Sequence, residues 1–192
     1  QIGDAPADVI EVANLCAVAR DLTDGAFDPW AVPGGFDPSG YVKGWAADKC
    51  ADIAQEHGAQ HVQINFAGDL ALRGGFNDGG VIKPWSIGIS NPDNTKEVVH
   101  VVEVFDGAIA TSGTYERGAH IFDPHTGTIA IGAKSATVLG PDGGLTDALA
   151  TALMVAGIDG AGWFAQPELA EYSAWVIDRH SGGAWGVGPA IT

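Results

Sequence analysis

Three groups of residues in this chain have the types and spacing to do chemistry. The first lies in Asp106 to Gly127, DGAIATSGTYERGAHIFDPHTG. Apolar Ala108, Ile109 and Ala110 are followed at once by two hydroxyls and a glycine, Thr111, Ser112 and Gly113. Glycine lets backbone approach a ligand closely. His120 then opens a short His-Ile-Phe run, which Asp123-Pro124 ends, because proline lacks an N–H and restricts its predecessor. Two strands joined by a polar loop would bring Thr111, Ser112, Arg117 and His120 together. The second group is Asp147 and Thr151, four apart in a helical pattern and so on one face near its start. Two hard oxygen ligands suit magnesium, which takes few protein groups and completes its shell with phosphate oxygens and water. The same pair also fits an acid favoured in a first helical turn and a threonine bonded to its own backbone. The third is Lys43, a cation at a helix start, where the dipole disfavours it unless an anion binds there too.

Helices, strands and turns must position these groups. Ala5 to Leu22 reads as a helix with an apolar face of Val9, Val12, Ala13 and Cys16, Asp4 as N-cap and Gly25 as stop. GAFDP follows, then a Pro- and Gly-rich connection from Trp30 to Ser39. Asp37 to Asp48 leads into a helix reaching about His57. His61 to Phe66 alternates as a strand. Arg73 to Lys83 is a Gly-rich hairpin or loop. Ser86 to Ser90 and Val98 to Phe105 are strands, and Asp106-Gly107 is a hairpin signal. Lys134 to Leu139 is a further strand, and Leu145 to Gly157 a helix whose Asp147 is expected to face solvent in the site. Asp159 to Ala170 carries a short helix, and Tyr172 to Ile177 and Ala184 to Val187 close the sheet. Strands in clusters with hairpin signals predict an α+β fold, a mostly antiparallel sheet flanked by helices, in a single domain.

Composition narrows the partners. The 192 residues carry a net charge of −15, which argues against nucleic acid and anionic membrane surfaces. No apolar run is expected to approach the roughly 20 residues that span a bilayer. Cys16 and Cys50, the only cysteines, have no zinc-type spacing and read as small buried hydrophobes.

The strings TSG, YERG and HIFDPHTG resemble the signature of the ApbE family, FAD:protein FMN transferases once called thiamine-biosynthesis lipoproteins. GAFDP, the element from Asp37 through Lys43-Gly44 to Asp48, PWSIGIS, and the Asp147/Thr151 pair resemble further family strings in the same order. The resemblance covers about Leu15 to the end of the chain. One departure is the family's Asn-x-Gly-Gly-Asp, here Asn65-Phe66-Ala67-Gly68-Asp69, whose consequence depends on the sign of φ at Ala67. The family also has residues before the first helix, an entry strand and a flavin cover, that this chain lacks.

The resemblance implies several roles. Ala26, Phe27, Asp28, Asp37, Lys43, Thr111, Ser112, Gly113 and Phe122 would contact FAD. The carbonyl near Gly40, with Asp147 and Thr151, would hold Mg2+. His120 would be the general base, with His125 its alternative, and Asp147 would serve catalysis through the metal. The implied reaction moves FMN from FAD to a threonine of an acceptor flavoprotein domain, in trans, and releases AMP. The family also contains members that hydrolyse FAD to FMN and AMP, and a non-catalytic FAD-binding protein is the third reading. The resemblance points to the cell envelope or periplasmic side of a bacterium, and the absence of a visible signal leaves the cytoplasm open.

Overall fold

The computed structural model describes residues 5–113 and 121–189. Helix α1 (Ala7–Leu22) buries Val12, Ala13, Cys16 and Ala19 on one face. Pro6 occupies its N-cap position; the expected cap, Asp4, lies outside the described residues. Thr23 ends the helix. Its hydroxyl donates to the Ala19 carbonyl at 2.8 Å and accepts from the Phe27 N–H at 3.2 Å. That fully buried threonine fixes GAFDP against the end of α1. Helix α2 (Ser39–Glu56) follows the connection, with a break at Gly40 (φ −87°, ψ 17°).

Ten strands come next: β1 (Val62–Phe66), β2 (Asp69–Arg73), β3 (Phe76–Asp78), β4 (Val81–Lys83), β5 (Trp85–Asn91), β6 (Asn94–Val104), β7 (Gly107–Gly113), β8 (Ala133–Gly140), β9 (Ser173–Asp178) and β10 (Ala184–Val187). Helix α3 (Gly143–Ala156) and two 3₁₀ stretches, Gly157–Ala165 and Pro167–Leu169, lie between β8 and β9. The main sheet runs β1-β2-β7-β8-β9-β10, and every pairing in it is antiparallel. β3–β4 and β5–β6 are separate antiparallel ribbons. The α+β, antiparallel expectation therefore describes the molecule.

Three layers result. On one face, α3 packs on β7 and β8, with Leu149, Leu153 and Met154 against Ala110, Ala136, Val138 and Val176. The helix is buried almost all round because α1 and α2 cover its far side. On the other face, Ile89 and Val102 of the β5–β6 ribbon close over Leu70, Leu72, Ile109 and Leu139.

Several expectations are corrected. β7 does not pair with the His-Ile-Phe run: its neighbours are β2 and β8, and Phe122 instead bridges Ile129 across a turn. Asp123 builds that turn, taking the His125 N–H and the Thr126 hydroxyl at 2.8 Å each. The short helix expected within Asp159 to Ala170 is 3₁₀, in two pieces, Gly157–Ala165 and Pro167–Leu169, separated by the extended Gln166. Contrary to expectation, residues Gly143–Ala165 form 23 helical residues long and apolar enough to cross a membrane. Half of its most apolar stretch is buried, and α3 within it is the central core helix. Cys50 is only partly buried, unlike Cys16.

Candidate active site

The site forms where the end of α1, the start of α2, the end of β7 and the start of α3 converge. The convergence needs α2 and α3 in backbone contact. A Cβ on Gly44 would sit 1.9 Å from the Gly143 carbonyl oxygen, and one on Gly144 would sit 2.2 Å from the Tyr41 ring. Only glycines allow that approach. Asp142 caps α3 by accepting from the Leu145 N–H at 2.7 Å. Asp48 of α2 accepts from the Gly143 N–H and from Arg73 of β2, at 2.8 Å for the latter. Burial, the larger effect, raises the Asp48 pKa, and these two donors pull against it.

All the described residues expected to contact FAD or the metal line one cleft. Ala26, Phe27 and Asp28 form one wall, Asp37, Gly40 and Lys43 the next, Thr111, Ser112 and Gly113 a third, and Asp147 and Thr151 the floor. Phe122 stands at the cleft, 56% exposed. Asp28 accepts from the Trp30 N–H and Asp37 from the Ser39 N–H, so both carboxylates are fixed by local turns. His120 and Arg117 lie outside the described residues. His125 reaches the wall from behind, its ring 3.4 Å from where a Gly25 Cβ would be.

The floor carries unusual charge. Asp147 is 2% exposed, which corrects the expectation that it faces solvent. Lys43 Nζ lies 2.6 Å from Asp147 Oδ2, 2.8 Å from Asp69 Oδ2 and 3.2 Å from the Ser39 carbonyl oxygen. One ammonium thus faces two buried carboxylates, a formal net charge of −1 when both are ionised. Burial, and then the neighbouring Asp69 charge, push the Asp147 pKa well above the usual carboxylate range, while Lys43 opposes them. Burial likewise raises Asp69. The pKa of Lys43 is raised: burial, the largest single effect, would lower it, but the two carboxylates outweigh it.

A divalent cation fits this floor. Thr151 Oγ1 is 3.3 Å from Ser112 Oγ, and a Cβ on Gly40 would lie 2.9 Å from the same Thr151 oxygen. A carboxylate, two hydroxyls and the non-helical backbone at Gly40 therefore line one place. These are hard oxygen donors, and Asp69 Oδ2 is buried with no hydrogen bond. Among the described residues no group of three or more His, Cys, Asp or Glu is arranged for a metal. That donor set suits an ion completed by ligand phosphates and water better than zinc.

Asp69 is the residue the sequence left without a role. It follows the two-residue β1–β2 turn, in which Ala67 (φ +51°) and Gly68 (φ +100°) are both left-handed and Phe66 faces Asp69. This is the turn geometry that favours glycine, so the alanine is strained there. Nothing in the local string separates an acid that turns inward from an ordinary turn aspartate.

The model of the ApbE family matches residues 31–175. This chain belongs to the ApbE family. A relative from Vibrio cholerae, an FAD:protein FMN transferase, is 38% identical over 131 residues, which is 63% of this chain and 38% of that protein. One of the same name from Rhodobacter capsulatus is 33% identical over 172 residues, 80% of this chain and 32% of that protein. The chain thus spans well under half the length of the curated relatives it matches. Among solved structures, the flavin transferase ApbE from Vibrio cholerae superposes with a TM-score of 0.79 at 25% identity, covering 97% of this chain and 75% of that one. The ApbE protein of Thermotoga maritima shares the fold at TM-score 0.81 and 24% identity, covering 95% and 76%. The ApbE match begins beyond GAFDP and takes in α2, β7 and α3, the elements that carry most of the cleft.

Proposed function

We propose that this chain carries the catalytic site of a magnesium-dependent FAD:protein FMN transferase, which moves FMN from FAD to a threonine hydroxyl of an acceptor flavoprotein and releases AMP. The observation that carries the reading is the convergence of four sequence-distant family strings on one cleft whose floor holds hard oxygen donors and surplus negative charge. An FAD pyrophosphate brought to that floor needs added positive charge.

Asp147, Thr151 and Ser112 side chains and the Gly40 carbonyl would hold magnesium, which neutralises pyrophosphate charge when bound. The remaining work falls to the protein. Ala26, Phe27 and Asp28 form the wall along which the nucleotide lies, and exposed Phe122 offers an aromatic face for stacking. Thr111, Ser112 and the Gly113 backbone orient the phosphates, and Lys43 adds fixed charge. His120 takes the proton of the acceptor hydroxyl as its oxygen attacks the FMN phosphorus. The bond from that phosphorus to the bridging oxygen breaks, and AMP leaves with it. Because little covalent chemistry is asked of the protein, positioning and charge dominate.

Incubation with FAD, magnesium and an acceptor domain tests the proposal. Covalent FMN on the acceptor, abolished by EDTA and by Asp147→Asn, is the expected result. Free FMN with AMP and no labelled acceptor would assign a pyrophosphatase, and unchanged FAD would leave only binding.

A further inference from the structure

Lys43 Nζ donates to the Ser39 carbonyl and to Asp147 Oδ2, and it lies in ion-pair contact with Asp69 Oδ2. In this arrangement the ammonium is held by the two acids and the Ser39 carbonyl rather than offered to a phosphate. Its closest partner, Asp147, is also the carboxylate that the proposed metal site requires. A divalent cation and the ammonium therefore compete for one carboxylate, and the lysine needs another place to rest. Asp69 is that place. It comes from β2, across the cleft floor from α3, and is 3% exposed. Its Oδ2 lies 2.8 Å from Lys43 Nζ and has no hydrogen bond.

We infer that Asp69 is a positioning residue, which holds the Lys43 ammonium off Asp147 when a divalent cation binds there. The inference rests on the metal-dependent reading given above. It makes order out of charge. With the lysine on both acids the floor carries −1 and repels a pyrophosphate. With a divalent cation on Asp147 it carries +1, and the lysine, held by Asp69 and the Ser39 carbonyl, can turn the donor that Asp147 had engaged toward the ligand. Cation binding thus both reverses the sign of the floor and frees Lys43, the cation that lines the cleft among the described residues. Without Asp69 the ammonium would rest on Asp147 and contest the cation.

Calorimetric titration of magnesium into wild type, Asp69→Asn, Lys43→Gln and the double variant tests this without any turnover. Asp69→Asn should weaken magnesium binding about tenfold, within the range usual for coupled sites. In the Lys43→Gln background the same change should alter affinity by less than about twofold, because the residue it acts through is gone. Unchanged affinity in Asp69→Asn overturns the inference. An equal loss in both backgrounds also overturns it, since Asp69 would then act by its own charge or as a ligand. Wild type that binds no magnesium overturns the metal-dependent reading itself. Should Asp69→Asn not fold, the Nζ resonance of Lys43 in 15N-lysine-labelled wild type replaces it. That signal must shift on magnesium saturation, and an unmoved signal refutes the inference.

Discussion

Replacing Gly44 by alanine sets two effects of opposite sign against each other. In a helix interior alanine is favoured over glycine by about 1 kcal/mol, so propensity alone predicts a more stable protein. Gly44, however, is where α2 meets the first turn of α3. Its new Cβ would lie 1.9 Å from the Gly143 oxygen, 2.4 Å from the Gly143 carbonyl carbon and 3.0 Å from the Gly144 nitrogen. These are backbone atoms and cannot swing away as a side-chain end can. Ordinary contact starts near 3.4 Å, so the close-packed helices must part by about 1.5 Å. Overpacking of this kind costs about 1–3 kcal/mol and here sits at the upper end, so Gly44→Ala should be destabilised by about 1–2 kcal/mol net. The site should suffer more than the fold. Lys43 is the adjacent residue, and its 2.6 Å contact with Asp147 spans the same interface. A displacement of about 1 Å costs on the order of 10²-fold in rate. Urea unfolding gives the stability, and FMN transfer with magnesium titration gives the site. A variant whose midpoint equals or exceeds wild type, with unchanged transfer, would refute the claim that this glycine contact sets the cleft.

Four further outcomes are expected. Asp147→Asn keeps the shape of a buried residue but removes charge, so calorimetry should find magnesium binding lost and transfer abolished; wild-type rates at saturating magnesium would remove Asp147 from the metal site. His120→Asn should keep FAD affinity and lose transfer by about 10²–10⁴-fold, and the wild-type rate should fall as pH drops through the ordinary histidine range, because imidazolium accepts no proton; a matching rate and pH profile would move suspicion to His125. Ala67→Gly relieves a left-handed alanine in the β1–β2 turn and should stabilise the protein by about 0.5–1 kcal/mol in urea unfolding, with no gain if the strain argument fails. Burial, with the Asp147 charge second, pushes the Cys16 thiol up to about 12, so at pH 8 a thiol reagent should modify Cys50 alone in native protein and both cysteines after unfolding; rapid native labelling of Cys16 would contradict its burial.

Local patterns sufficed for much of this molecule. The 3.6-residue spacing of Val12, Cys16 and Ala19 and the β-branched run through Val98 to Val104 each act over a few residues, so the elements and their antiparallel class were legible, whereas Asp106-Gly107, expected as a hairpin turn, instead joins the β5–β6 ribbon to β7 of the main sheet, and β6 and β7 do not pair. The family strings likewise named the residues that line the cleft. What the chain could not announce is which element lies beside which. The His-Ile-Phe run looked like a partner for β7, but β8 and β2 supply more complementary apolar neighbours on both of its edges, leaving Phe122 to bridge Ile129. Asp147 looked like an exposed first-turn acid because helical position tells nothing of what covers that turn; α2, brought in by Gly44 and Gly143, buries it. Asp69 gained its place only through the left-handed turn at Ala67-Gly68 and the arrival of Lys43 from a distant helix. Hydrophobic period and turn chemistry are local and so are written along the chain. The charge balance of the cleft floor is set by distances between Lys43, Asp69 and Asp147, and those exist only once three separate elements have packed.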